Sequence, residues 1–265
     1  AAQEGSMVKR MHPGRAAQSG VYGALLAAKG FTGIENILEA PYGGFCSTLS
    51  DRADIDLITK KLGEEYVSLN IGFKVYPCCA NNHTSLDGLK NIRTTHPGLK
   101  AGDVKKIVVS TTHSSKLHVG WPYVPDSVTT AQMNLSYCLA AALIDGEFSV
   151  GQVAEESIGR KDILETAQRI EVVEDPELDS LGDRFRYAVQ LEVILTDGTS
   201  LRERVLHARG SEENPVGETE LEEKFRLLAS KAIKESQVER LYDTVHRLET
   251  VEDVKILSTL LVHRG

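Results

Sequence analysis

Residues 72–83, GFKVYPCCANNH, decide how this chain is read. A strand-to-helix connection needs a turn residue and a cap. It does not need Lys74, Cys78, Cys79 and His83 crowded around Pro77. Upstream of this junction the periodicity is helical. Downstream, β-branched runs and period-two alternation take over. The junction is therefore where the chain changes architecture.

Working backwards, HPGRAAQSGVYGALLAAKG (12–30) predicts a helix, with Pro13 in its first turn and Gly30 at its end. Ala16, Gly20, Gly23, Ala24 and Ala27 suit close helix–helix packing. Thr32 and Glu35 have capping-box spacing for a short second helix, GIENILEA, and PYGGFCSTLSD reads as a loop. ADIDLITKKLG predicts a further short helix closed by Gly63.

Working forwards, VKKIVVSTTH (104–113) predicts a strand, TTAQMNLSYCLAAALIDG one apolar helix ending at Gly146, and KDILETAQRI a helix leading into the strand IEVVED. Phe185, Tyr187, Val189, Leu191, Val193 and Leu195 alternate with polar neighbours. Asp197-Gly198 then turns the chain into TSLRERVLHA, an antiparallel hairpin with one buried face. RGSEENPVGE reads as a linker. Two stripes follow, Leu221, Phe225, Leu228 and Ala232, then Val238, Leu241, Val245 and Leu248, and they predict two closing helices. The expected fold is α+β. A helical part over 1–73 is interrupted by a small α+β domain with an antiparallel sheet over 74–210, and 211–265 returns to the helices.

Composition narrows the function. The 265 residues are 41% hydrophobic and 26% charged, with a net charge of −8 scattered along the chain. Nucleic acid wants a clustered basic face, so it is not an expected partner. No run of about 18 uncharged apolar residues predicts a membrane span. The opening AAQEGSMVKR has no apolar core and does not read as a signal peptide. The chain does not begin with Met and reads as a fragment or a processed piece. Cys46, Cys78, Cys79 and Cys138 lack zinc-type spacing and read as reduced thiols of a cytosolic protein. GxGxxG, P-loop and HExxH motifs are absent from the sequence.

Charged and nucleophilic candidates carry the rest. Lys9, Arg10, His12 and Arg15 cluster at a helix start, as a carboxylate or phosphate seat or as a solvated basic end. Lys74 can hold an anion with help from the following helix start, or the junction is only a capped helix with buried thiols. Cys79 near that start is a candidate thiolate. His83 lies in the first turns of the helix. Tyr137 reads as a core tyrosine whose hydroxyl needs a partner. His113 and His118 lack a metal-ligand context, and the Lys and Glu runs at 218–240 read as solvated faces.

KRMHPGRAAQSGVYGALLAAKGFTG (9–33), FKVYPCC…H (73–83) and AQMNLSYCLAAALIDG (131–146) together resemble the MmgE/PrpD family in order and spacing. That family includes 2-methylcitrate dehydratase, cis-aconitate decarboxylase and iminodisuccinate epimerase. The resemblance implies a mainly helical domain with a smaller α+β lid, and a cleft between them that binds small di- or tricarboxylic acids without cofactor or metal. It puts the family's basic positions on Lys9, His12 and Lys74, with Arg15 beside them, and a cleft tyrosine on Tyr137. Lys9 and Lys74 become carboxylate clamps, and Tyr137 or His83 a proton donor or orienting group. A histidine that some members carry two residues after the proline falls on Cys79, so Cys79 or His83 takes its place. Further catalytic Asp and His residues of the family lie upstream of this chain.

The implied activity is a hydro-lyase of the 2-methylcitrate dehydratase type. The alternatives are an epimerase of an amino-dicarboxylate, or a non-catalytic homologue serving as an assembly module. A homodimer is expected, in the cytoplasm or, in a eukaryote, the mitochondrial matrix.

Overall fold

The computed structural model describes residues 6–262. Helix α1 spans Val8–Ala28, so Pro13 sits inside it and not in its first turn. Gly30, at φ +88°, ends it, and Phe31 N–H reaches back to Leu26 O at 3.1 Å. No residue of α1 is buried, so its small-residue face meets no helix among the described residues. Residues 35–39 form turns and not the capped helix that Thr32 and Glu35 predict. A segment this short that buries neither Ile34 nor Ile37 cannot repay helix nucleation. Conversely, the presumed loop holds a short helix, α2 (Phe45–Leu49), where Ser47 Oγ donates to Ala40 O at 2.9 Å. Helix α3 (Asp56–Thr59) follows.

Order increases at the junction. Helix α4 (His83–Thr95) buries His83 to Leu89 and Ile92. Strand β1 (Val104–Thr111) comes next, then α5 (His113–Val119), whose first turn is capped by Thr112. One apolar helix is expected over 129–146, but the chain makes two, α6 (Val128–Met133) and α7 (Leu135–Asp145). Asn134 breaks them with extended backbone, and its Oδ1 accepts Tyr137 N–H at 2.9 Å, capping α7. Gly146, at φ +85°, closes α7 as the sequence predicts.

Helix α8 (Lys161–Ala167), strand β2 (Ile170–Glu174), α9 (Pro176–Asp179), β3 (Val189–Leu195) and β4 (Ser200–Val205) complete the sheet. Its order is β2-β1-β3-β4. The β3–β4 hairpin at Asp197-Gly198 is antiparallel as expected, but β1 and β2 pair in parallel through the α5–α8 crossover, so the sheet is mixed. Phe185 and Tyr187 lie before β3. The carbonyls of 186–188 are taken by hydroxyls of Thr84, Thr111, Thr112 and Ser115 in place of a strand partner.

Helices α4 and α7 pack against each other, α4 on β3 and β4 and α7 against β2 and α8. Leu86, Leu89, Leu139, Leu143, Ile107, Val109, Leu191 and Val193 fill the space between helices and sheet. The approach is close at Gly88, where a Cβ would stand 3.3 Å from Leu191 Cδ2.

The chain leaves this unit beside the point where it entered. Phe73 N–H donates to Gly210 O at 2.7 Å, and a Cβ on Gly210 (φ +92°) would fall 2.0 Å from Phe73 O. Helices α10 (Glu218–Ala229), α11 (Glu235–His246) and α12 (Lys255–Leu260) then form a satellite core of Ile233, Val238, Leu241 and Leu260. Val245, expected on its buried stripe, is 50% exposed. Among the described residues no helix is long and apolar enough to cross a membrane.

Candidate functional site

The junction 74–83 is held in place by its backbone. Cys79 N–H donates to Gln132 O at 2.9 Å, and Gln132 Nε2 donates to Pro77 O at 2.8 Å, so α6 grips both ends of Pro77–Cys79. Lys74 Nζ folds over to donate to Cys78 O at 3.2 Å, and Lys224 Nζ from α10 donates to Lys74 O at 2.6 Å. Tyr76 Oη donates to Asp87 Oδ1 at 2.9 Å, while Asp87 Oδ2 accepts Arg209 N–H at 2.8 Å. The buried Asp87 thus ties the junction to the segment by which the chain leaves the unit.

A cavity of about 850 Å³ opens between this junction, the start of α1, one face of α4, the ends of α6 and α7, and α10. Its apolar lining includes Leu86, Leu89, Phe148, Val150, Leu227 and Leu228. Lys9, Arg10, Lys74, Lys90, Arg93 and Lys224 also line it, against Glu147 as the one acidic side chain among the described residues. Among those residues none of the six cations forms an ion pair. Their hydrogen bonds go to neutral acceptors. Lys9 Nζ reaches Met133 Sδ at 3.4 Å, Arg10 bonds Thr129 Oγ1 and Gln132 Oε1, and Arg93 Nη1 caps α7 through Ala142 O and Leu143 O, both at 3.1 Å. Positive charge in a partly apolar cavity is left for an anion to neutralise.

The candidates from the sequence divide. Lys9, Lys74 and Cys79 line this cavity together. His12 and Arg15 are exposed on α1 outside it, and Arg15 Nη1 bonds Gln18 Oε1 at 2.9 Å on its own helix. Tyr137 does not line it. Its side chain is fully buried, its hydroxyl donates to Gln152 O at 2.5 Å, and its ring stacks on Tyr123 at 4.5 Å, with burial pushing the phenol upward. His83 is 2% exposed, packed edge-on to Tyr76 behind the cavity wall.

Cys79 reverses the expected thiolate, because burial pushes its thiol up. The helix whose start was to activate it begins only at His83, and Cys79 Sγ donates to Asn81 Oδ1 at 3.2 Å instead. In the sequence Arg10 stands out only as part of the basic cluster at the helix start, and Lys90, Arg93 and Lys224 carry no mark of a site. Lys90 and Arg93 are legible only as two cations three apart on a helix whose other face is core. Lys224 reads as one more charge on a solvated face. Among the described residues no three His, Cys, Asp or Glu side chains gather as a metal would need.

Comparison with known proteins matches residues 76–250 to the MmgE/PrpD C-terminal domain and residues 1–58 to the MmgE/PrpD N-terminal domain. The chain is 29% identical over 273 residues to the cis-aconitate decarboxylase-like protein oryM of Aspergillus oryzae, covering 98% of this chain and 56% of that protein. It is 28% identical over 274 residues to a cis-aconitate decarboxylase of Aspergillus terreus, covering 98% and 56%. To the cis-aconitate decarboxylase of Homo sapiens it is 29% identical over 268 residues, covering 98% and 54%. The chain thus spans about half the length of the curated relatives it matches.

Proposed function

We propose, because this chain belongs to the MmgE/PrpD family, that its cavity binds a small di- or tricarboxylic acid and serves a cofactor-independent lyase reaction. The observation that carries this reading is the set of six cavity cations, none in an ion pair among the described residues, facing one carboxylate. Lys9 from α1 and Lys74 from the junction clamp the carboxylates from two sides. Arg10 and Arg93, already tied to neutral acceptors, hold fixed positive charge around them.

Removing a proton beside a carboxylate builds enolate-like charge on that carboxylate. Preorganised ammonium groups in a cavity with apolar walls stabilise this charge more than water does. The proton moves through groups at the junction. Cys79 is in the cavity wall with a protonated thiol, and His83 lies behind it. Loss of a β-hydroxyl as water makes the reaction a dehydration of the 2-methylcitrate type. The curated relatives carry the name of a decarboxylase, so cis-aconitate belongs among the substrates tried.

Full-length protein incubated with cis-aconitate, 2-methylcitrate and citrate is expected to release water or carbon dioxide from at least one, with loss of turnover in Lys74→Met. Folded protein that neither binds nor turns over any of them overturns the reading. Deuterium entering recovered substrate without elimination assigns the site to an epimerase instead.

A further inference from the structure

The cavity extends well beyond the cations at its junction end. Helices α4 and α7 run side by side in the same direction. At their starts Cys79 N–H and Asn82 Nδ2 both donate to Gln132 O, and near their ends Arg93 Nη1 reaches Ala142 O and Leu143 O. Lys9, on Met133 Sδ, Arg10, on Gln132 Oε1, and Lys74, on Cys78 O, all belong to the starting end. From there the wall turns apolar. Leu86 and Leu89 line it from α4, and Leu227 and Leu228 from α10. Phe225 and Ala229 give the other side of α10 to the satellite core. Even so, α10 buries none of its residues, and Leu227 and Leu228 are 50% and 39% exposed. At the far end Arg93 Nη1 is spent on the α7 carbonyls, and Glu147 brings a carboxylate that opposes a second anion. The volume of about 850 Å³ lies near the top of the range of about 300–1,000 Å³ that encloses drug-sized ligands, more than a six-carbon acid fills.

We propose that the cavity takes carboxylic acids that carry an alkyl chain, with the carboxylates at the junction end and the chain laid along α4. From Leu86 to Arg93 the axis of α4 advances about 10 Å. An extended chain advances roughly 1.2 Å per bond, so roughly eight methylenes span the strip between the leucines of α4 and those of α10. Each methylene that leaves water for that strip favours binding. Lys9 and Lys74 hold the head, as in the function proposed above, on which this proposal rests; the chain is what it adds. Lys224 Nζ, on Lys74 O, keeps α10 over the head, and the chain buries Leu227 and Leu228 beside it. The polarity of the cavity sets the orientation, because the far end offers fewer cations and the one carboxylate among the described lining residues.

The test is titration calorimetry of the full chain with citrate, malonate, octylmalonate, suberate and the uncharged octanamide. Octylmalonate is expected to bind at least tenfold more tightly than malonate. Suberate, whose second carboxylate must travel down the apolar strip, should bind more weakly than octylmalonate. Leu227→Gln and Leu228→Gln, changes at half-exposed positions of α10, should each weaken octylmalonate at least threefold more than they weaken malonate. Equal affinity for malonate and octylmalonate overturns the proposal, as does suberate binding as tightly as octylmalonate. If citrate binds and the octyl chain adds nothing, this proposal falls and the carboxylate site stands. If citrate and malonate do not bind while octylmalonate and octanamide bind equally, the carboxylate reading falls and the alkyl-acid assignment falls with it. Absence of binding by all five overturns both.

Discussion

At the scale of single residues, the cavity is read through its cations. A charge-assisted hydrogen bond contributes about 1.5–3 kcal/mol net, so Lys9→Met and Lys74→Met should each weaken citrate binding roughly ten- to hundredfold by titration calorimetry. Unchanged affinity in both would remove the clamp. Tyr137→Phe should leave that affinity alone, since the hydroxyl is spent on Gln152 O, and should lower unfolding stability by about 1 kcal/mol for the lost buried hydrogen bond. Lys9 and Lys74 were legible because a resemblance fixed their positions in two separate motifs. Tyr137 was legible as a core residue from its apolar neighbours, and the resemblance drew it toward the cleft against that local signal. Arg93 was not legible, because nothing local tells a helix cation facing solvent from one capping a neighbouring helix across a cavity.

At the scale of elements, α7 and the turn after it form a connected unit. Arg160 bonds both carboxylate oxygens of Asp145 at 2.8 and 2.9 Å, and Gln152 Nε2 adds a third bond at 3.0 Å. Arg160 holds the Asp145 carboxyl below its ordinary range, with Gln152 assisting. A carboxyl depressed in the folded state stabilises above its unfolded pKa of about 3.9 and loses that contribution as pH falls through the folded value. Thermal melts should therefore decline below about pH 4, and Arg160→Met should shallow that decline while costing about 1 kcal/mol at neutral pH, the scale of a partly exposed pair. An unchanged acid limb would separate this ion pair from acid stability.

Gly146→Ala forces a left-handed alanine beside the Arg93 guanidinium and should cost about 1–2 kcal/mol in a denaturant titration. The hairpin β3–β4 was legible from period-two alternation and Asp-Gly. The parallel β1–β2 pair was not, since each strand alone shows no sign of its partner's direction. The division of α6 from α7 turned on Asn134, which in sequence sits unmarked inside an apolar helical run.

At the scale of the whole molecule, the well-packed unit and the segment before it differ. Val21, Tyr22, Leu25 and Phe31 are 62%, 66%, 59% and 69% exposed. The homodimer that the family resemblance implies should appear by sedimentation at micromolar concentration, where a monomer would refute it. The interruption of helices by an α+β unit was legible from the switch in periodicity. The assembly of six cations was not, because they come from α1, the junction, α4 and α10, and only folding makes them neighbours.

One consequence follows from the crossing of Phe73 with Gly210. Because the two threads run side by side, residues 74–209 are topologically a cassette. Their ends can be spliced to one another, or the cassette exchanged for that of a relative, without stretching either piece. Such a graft would carry Lys74, Lys90 and Arg93 but leave Lys9, Arg10 and Lys224 behind, so a chimaera brings together halves of a charge arrangement that were never selected as a pair.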